Sequence, residues 1–182
     1  ALPGEIAVKF DDVRAAGGLV QPIDVLGDDR VNDAHRFQAG GRLVLGGVEI
    51  EYPRSLAAHS DGDVALHALC DALLGAAALG DIGQHFPPGE ERWRGADSSM
   101  LLSRVAELLA GHGWRTVNTD VTVACERPRL APHIAAMREA IAGILQIDAD
   151  RVSVKATTTE RLGFCGRGEG IAALAVALIQ RG

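Results

Sequence analysis

AHSDGDVALHALCDALLGAAALG, residues 58–80, is the stretch whose reading decides the fold. It predicts a helix over residues 61–79, with Ser60 and Asp63 at capping-box spacing at its start and Gly80 as its stop. The Ala-rich end permits close packing against neighbours. Upstream, RLVLGGVEIE (42–51) reads as two short strands around a Gly46-Gly47 turn. Downstream, residues 98–110 predict a second helix: Asp97 is its N-cap, Gly111 follows it, and Leu101, Leu102, Val105, Leu108 and Leu109 repeat at helical spacing. Residues 116–125 alternate, with Val117, Val121 and Val123 on one side and Asn118, Asp120 and Thr122 on the other, as in a half-buried strand. A third helix is expected over 132–145 and a strand over 151–156. A near-continuous apolar strand, buried on both faces, is expected over 171–179. Strands and helices mix, so the fold class is α/β, an α+β sandwich in which helices pack on one face of a mixed sheet.

The 182 residues suit one domain, and 47% hydrophobic against 23% charged residues is an ordinary globular balance. Residues 1–29 show weak periodicity and read as an N-terminal extension or linker; residues 30–182 form the domain. The formal charge of −6 argues against sequence-independent binding to nucleic acid or an anionic membrane. A phosphate-rich substrate would then have to be met by metal cations, backbone N–H groups and a few placed basic residues. Cys70, Cys125 and Cys165 form no CxxC pair, which suggests neither a disulfide framework nor a Cys-type zinc site and fits a reducing compartment. No apolar run is long enough to cross a bilayer, and the N-terminus has no basic-then-apolar signal pattern.

Five segments carry polar chemistry. The cluster His59 to His67 places two histidines and two carboxylates at a helix start, whose free N–H groups and positive dipole end suit a phosphate. His67 shares a helix face with Asp63 and Asp71; the plainer reading is a solvated capping turn and one packed histidine. In Asp33-Ala34-His35, residues i and i+2 of an extended chain point the same way. With His67 they make a His₂Asp set, of the kind that leaves zinc a fourth position; the plainer reading is two exposed polar side chains. Lys155 to Glu160 offers hydroxyls and a carboxylate for phosphate oxygens and a hard divalent ion, or is simply a strand-end turn. Gly163 to Gly170 is either a loop that lets backbone approach a ligand, with Arg167 gripping a phosphate, or a flexible turn. Cys125 to Pro132 is either a rigid pocket or an ordinary strand-to-helix connection.

Together, Ala58 to Pro87, RPRLAPHI (127–134) and VKATTTERLGFCGRGEGIA (154–172) resemble the 2-C-methyl-D-erythritol 2,4-cyclodiphosphate synthase family of the non-mevalonate isoprenoid pathway, over about residues 30–181. The resemblance implies a homotrimer with active sites between neighbouring subunits. It implies conversion of 4-diphosphocytidyl-2-C-methyl-D-erythritol 2-phosphate to the cyclic diphosphate and CMP. It places zinc on Asp33, His35 and His67, and magnesium or manganese on the substrate diphosphate and Glu160. His59 and Ser60 would contact phosphate, with His59 and Thr158 as catalytic residues. Asp81, Ile82 and Gly83 would hold the sugar, followed by Phe86 and Glu90. Cys125, Arg129, Leu130 and Ala131 would form the cytosine pocket, and Thr157, Thr159, Phe164 and Arg167 would make further substrate contacts.

Some family members are fused to the pathway cytidylyltransferase, so a fusion or association with that enzyme is a further expectation, and residues 1–29 would be its remnant. The implied location is a bacterial cytoplasm, with a plastid left open. Two other readings use the same residues: a zinc phosphohydrolase that activates water, and a non-catalytic trimer binding a diphosphate or isoprenoid ligand.

Overall fold

The computed structural model describes residues 18–20 and 33–182. Its strands are β1 (Gly18–Val20), β2 (Asp33–Ala39), β3 (Leu43–Leu45), β4 (Val48–Ile50), β5 (Arg54–Leu56), β6 (Trp114–Ala124), β7 (Val152–Thr157) and β8 (Gly170–Arg181). Its helices are α1 (Val64–Ala76), α2 (Ile82–His85), α3 (Ser98–Gly111), α4 (Ile134–Leu145) and α5 (Gly163–Gly166). One mixed sheet runs β5-β2-β8-β6-β7, and β1 also pairs with β8. Within it β6 and β7 are parallel, whereas β8 is antiparallel to β1, β2 and β6. Strands β3 and β4 form a separate hairpin, closed by Gly46 and Gly47 at φ +60° and +75°, a turn that glycine adopts without strain.

The core lies between one sheet face and helices α1, α3 and α4. Val121 and Val123 of β6, Val152 and Val154 of β7, and the odd-numbered residues Ile171 to Ile179 of β8 point into it, against Leu66, Leu69, Leu73 and Leu102. The expectation that β8 is buried on both faces is corrected. Its even-numbered side chains Leu174 and Leu178 are half-buried and Val176 is 38% exposed, because helices α1, α3 and α4 pack on the opposite face and α5 reaches only as far as Ala172. Near the start of β6, Val117 is an extra residue between Thr116, opposite Ile179, and Asn118, opposite Leu178. This bulge removes Val117 from the face that carries Val121 and Val123.

Helix α1 is shorter than expected. Its N-cap is Asp63, which accepts from the N–H groups of Ala65 and Leu66, while Ser60 instead accepts from Gly62. Ala78, at φ +56°, turns the chain away before Gly80. The helix expected from residue 132 opens as a 3₁₀ turn at Ala131–His133 and continues as α4. Within residues 1–29 only β1 is described; the rest of the expected extension lies outside the described residues. No helix of the described residues is long and apolar enough to cross a membrane.

Candidate active site and metal centre

Alternation along β2 places Asp33 opposite Ala173 and His35 opposite Ile171, on the helix-covered side of the sheet. His67 meets them from the first turns of α1. Its Nδ1 lies 3.0 Å from Asp33 Oδ2 and 3.1 Å from His35 Nε2, and those two atoms are 3.2 Å apart. Three lone-pair donors this close repel one another unless a positive charge lies between them. Burial opposes ionisation of Asp33, but the hydrogen bonds and charges of His35 and His67 prevail and hold its carboxyl far below the usual range. Burial likewise opposes charge on His67, and Asp33 outweighs it, moving the imidazole pKa up. Two imidazole nitrogens and one carboxylate oxygen suit zinc, and the set is open on the cavity side.

The far side of His67 is held as closely. Its Nε2 lies 2.9 Å from Ser98 Oγ and 3.0 Å from Ser60 Oγ. Ser98 Oγ in turn donates to Asp61 Oδ1 at 2.5 Å. Asp63 is fully buried and takes no part in the cavity. Its oxygens accept from Gly46 and Gly47 of the β3–β4 turn and from Ala65 and Leu66. The expectation that free N–H groups at this helix start bind phosphate is therefore corrected: Asp63 has already taken two of them.

A cavity of about 320 Å³ opens beside the three donors. His59, Ser60, Ile82, Gly83 and Phe86 line it, as do Asp71 and Trp93, which the sequence reading had not assigned to the site. Asp71 carried a signal, its i+4 spacing from His67. Trp93 and Ser98 carried none, since loop geometry alone brings them in. Burial raises the Asp71 carboxyl, and its Oδ1 accepts from Ile82 N at 2.7 Å, fixing the start of α2. Asp81 is outside the lining and caps α2 through Gln84 N, and Glu90 pairs with Arg92.

The remaining candidates gather as a second group at the same end of the sheet, where parallel β6 and β7 both finish. Cys125 N donates to Thr157 O at 3.0 Å, and Arg161 N donates to Glu126 at 3.1 Å, tying the two loops together. Thr158 Oγ1 donates to Glu160 Oε1 at 2.7 Å, and Thr159 Oγ1 donates to Leu162 O. Arg129 and Ala131 are exposed; Leu130 is buried. Burial pushes the Cys125 thiol up to about 11, which keeps it unreactive. Phe164 packs on Ala124, Cys165 and Ala172. Arg167 is already engaged by both oxygens of Glu169. The glycines of this loop serve the fold: a Cβ on Gly166 would meet the Arg161 backbone at 2.1 Å, and one on Gly170 the His35 carbonyl at 2.4 Å. None of this second group lines the cavity of its own chain.

Comparison with known proteins adds three findings. The YgbB family model matches residues 31–180. A 2-C-methyl-D-erythritol 2,4-cyclodiphosphate synthase of Xanthomonas oryzae pv. oryzae is 60% identical over 149 residues, covering 82% of this chain and 91% of that protein. Two solved structures share the fold. The bifunctional IspDF from Campylobacter jejuni superposes with TM-score 0.80 at 42% identity, over 82% of this chain, which spans only 41% of that protein's length. A CDP-bound 2C-methyl-D-erythritol-2,4-cyclodiphosphate synthase gives 0.75 at 36% identity, over 81% of this chain and 96% of that one.

Proposed function

Since this chain belongs to the YgbB family, that of 2-C-methyl-D-erythritol 2,4-cyclodiphosphate synthase, we propose that the cavity beside Asp33, His35 and His67 is where that reaction takes place. The activity is conversion of 4-diphosphocytidyl-2-C-methyl-D-erythritol 2-phosphate to the 2,4-cyclodiphosphate. An oxygen of the 2-phosphate forms a bond to the β-phosphorus; the bond from that phosphorus to the bridging oxygen breaks, and CMP leaves with that oxygen. The nucleophile is already anionic at neutral pH, so no strong base is required. The demand on the protein is to hold anionic groups together in line.

The observation that carries this reading is the convergence of the three donor atoms on the cavity wall. Asp33, His35 and His67 would hold zinc, and Glu160 would hold magnesium or manganese with the diphosphate. When bound, such cations neutralise phosphate charge and fix the phosphates' relative position. His59 and Ser60 hold phosphate oxygens from the cavity wall. The Asp81-Ile82-Gly83 turn orients the methylerythritol hydroxyls, and Phe86 excludes water from its carbon skeleton. The Thr158 hydroxyl steadies the phosphorus-centred transition state. Cys125, Arg129, Leu130 and Ala131 form the cytosine pocket, mainly through backbone groups. Thr157, Thr159, Phe164, Arg167 and Glu90 complete the substrate contacts, Arg167 and Glu90 by leaving their present ion pairs.

The site is completed between subunits of a homotrimer. Two observations support this: none of the second group lines the cavity beside Asp33, His35 and His67 in its own chain, and the Leu174, Val176 and Leu178 stripe lies on the sheet face away from helices α1, α3 and α4. Residues 30–182 then form the synthase domain and residues 1–29 an extension of it; the bifunctional relative supports a link to the pathway cytidylyltransferase. Three unpaired thiols and bacterial relatives support a cytoplasmic setting.

Phosphorus NMR of the chain with substrate and magnesium, with and without a zinc chelator, tests the reading. Cyclic diphosphate and CMP are expected, lost on chelation. Turnover unaffected by chelation would remove the metal from the site, and a linear hydrolysis product would replace cyclisation with hydrolysis.

A further inference from the structure

We propose that Ser98, backed by Asp61, is a positioning residue that sets which nitrogen of His67 carries the proton. The inference rests on the metal reading of Asp33, His35 and His67 above. Ser98 is the first residue of α3 and is fully buried. Its backbone N–H donates to Asp61 Oδ2 at 3.2 Å and its hydroxyl lies 2.5 Å from Asp61 Oδ1. Asp61 Oδ1 also accepts from Asp63 N at 3.2 Å. A carboxylate only accepts, so the Ser98 hydroxyl proton points at Asp61.

Ser98 Oγ then has only lone pairs to turn toward His67 Nε2, 2.9 Å away. That contact is attractive only when Nε2 carries hydrogen. Ser60 Oγ, at 3.0 Å from the same nitrogen, is a second acceptor, but its own proton is free to rotate and it imposes no tautomer by itself. In a neutral imidazole an Nε2–H leaves Nδ1 bare, and Nδ1 is the atom that faces Asp33 Oδ2 and His35 Nε2; without a metal the Asp33 carboxylate favours a proton on Nδ1, so the Ser98–Asp61 pair has to outweigh it. The opposite tautomer would put a proton where the metal has to bind. The chain Asp61–Ser98–His67 thus does through one hydroxyl what a carboxylate does directly behind many ligating histidines.

The test uses the full chain. Nitrogen-15 imidazole shifts of the metal-free protein, at a pH where His67 is neutral, are expected to report Nε2–H for the parent and a mixture in Ser98→Ala. Competition with a chromophoric chelator is expected to show zinc held roughly ten- to a hundredfold more weakly by Ser98→Ala, the range for lost partners behind a ligand. Ser98→Thr, which keeps the hydroxyl, is expected to bind zinc like the parent. An Nδ1–H tautomer in the parent, or a Ser98→Ala variant with parental tautomer and zinc affinity, would overturn the inference. If Ser98→Ala does not fold, the parent's tautomer decides. A parent that binds no zinc overturns the metal reading instead, and its tautomer still decides the relay.

Discussion

Asp63 sits in the middle of the cluster that draws the eye in the sequence, yet it serves the scaffold. Four backbone N–H groups converge on its carboxylate, from the β3–β4 turn and from the first turn of α1. Burial pushes its pKa up while those donors pull it down. Asp63→Ala strips a cap and leaves buried donors of the hairpin without partners, at a cost of about 2–4 kcal/mol in a urea titration. A loss below the value of a cap alone would show that the hairpin contacts contribute nothing. The roles of Asp63 and His67 could not be separated in the sequence, because helical spacing puts both on one face. What separates them is depth: Asp63 meets backbone and His67 meets the cavity wall.

The pairing of β2 with β8 brings the candidate metal donors Asp33 and His35 to α1, and that pairing depends on Gly170. Nothing else fits there, since a Cβ would meet the His35 carbonyl at 2.4 Å. Gly170→Ala is expected to push β2 outward by an appreciable part of 1 Å. Misplacement of that size costs on the order of a hundredfold in activity. The stability loss should stay near the 1–3 kcal/mol typical of overpacking. Turnover and thermal melting of one preparation check both; parental turnover would show that β2 yields without moving His35. At this scale the regular elements were readable, because the apolar periods of α3, β6 and β7 are strong. The short β5, α2 and α5 were not, since three or four residues carry no period. The bulge at Val117 was also hidden, because it shifts a face without changing the alternation on either side. The double burial expected for β8 failed for a related reason: Ala, Leu and Val look alike in sequence whether a helix covers them or not.

For the molecule as a whole, the uncovered stripe on β8 makes a firm demand. Val176→Glu places a charge in the middle of the proposed contact between subunits, where an uncompensated buried charge costs about 3–5 kcal/mol. Sedimentation should show trimers giving way to monomers with unchanged circular dichroism, and turnover should fall with the trimer. A trimeric variant with parental activity would place the contact elsewhere. The tie made by Asp63 also bears on the order in which the chain assembles. It joins Gly46 and Gly47 to a helix start 16 or 17 residues away, a short loop to close, whereas Asp33 and His35 must find Ala173 and Ile171 at the other end of the chain. The hairpin and α1 are therefore expected to form first, and Asp33, His35 and His67 to come together after the rate-limiting barrier. Zinc at the proposed site would then be captured by a scaffold already built. It should slow unfolding in proportion to its affinity while leaving the refolding rate as it was, which stopped-flow chevrons with and without metal would display.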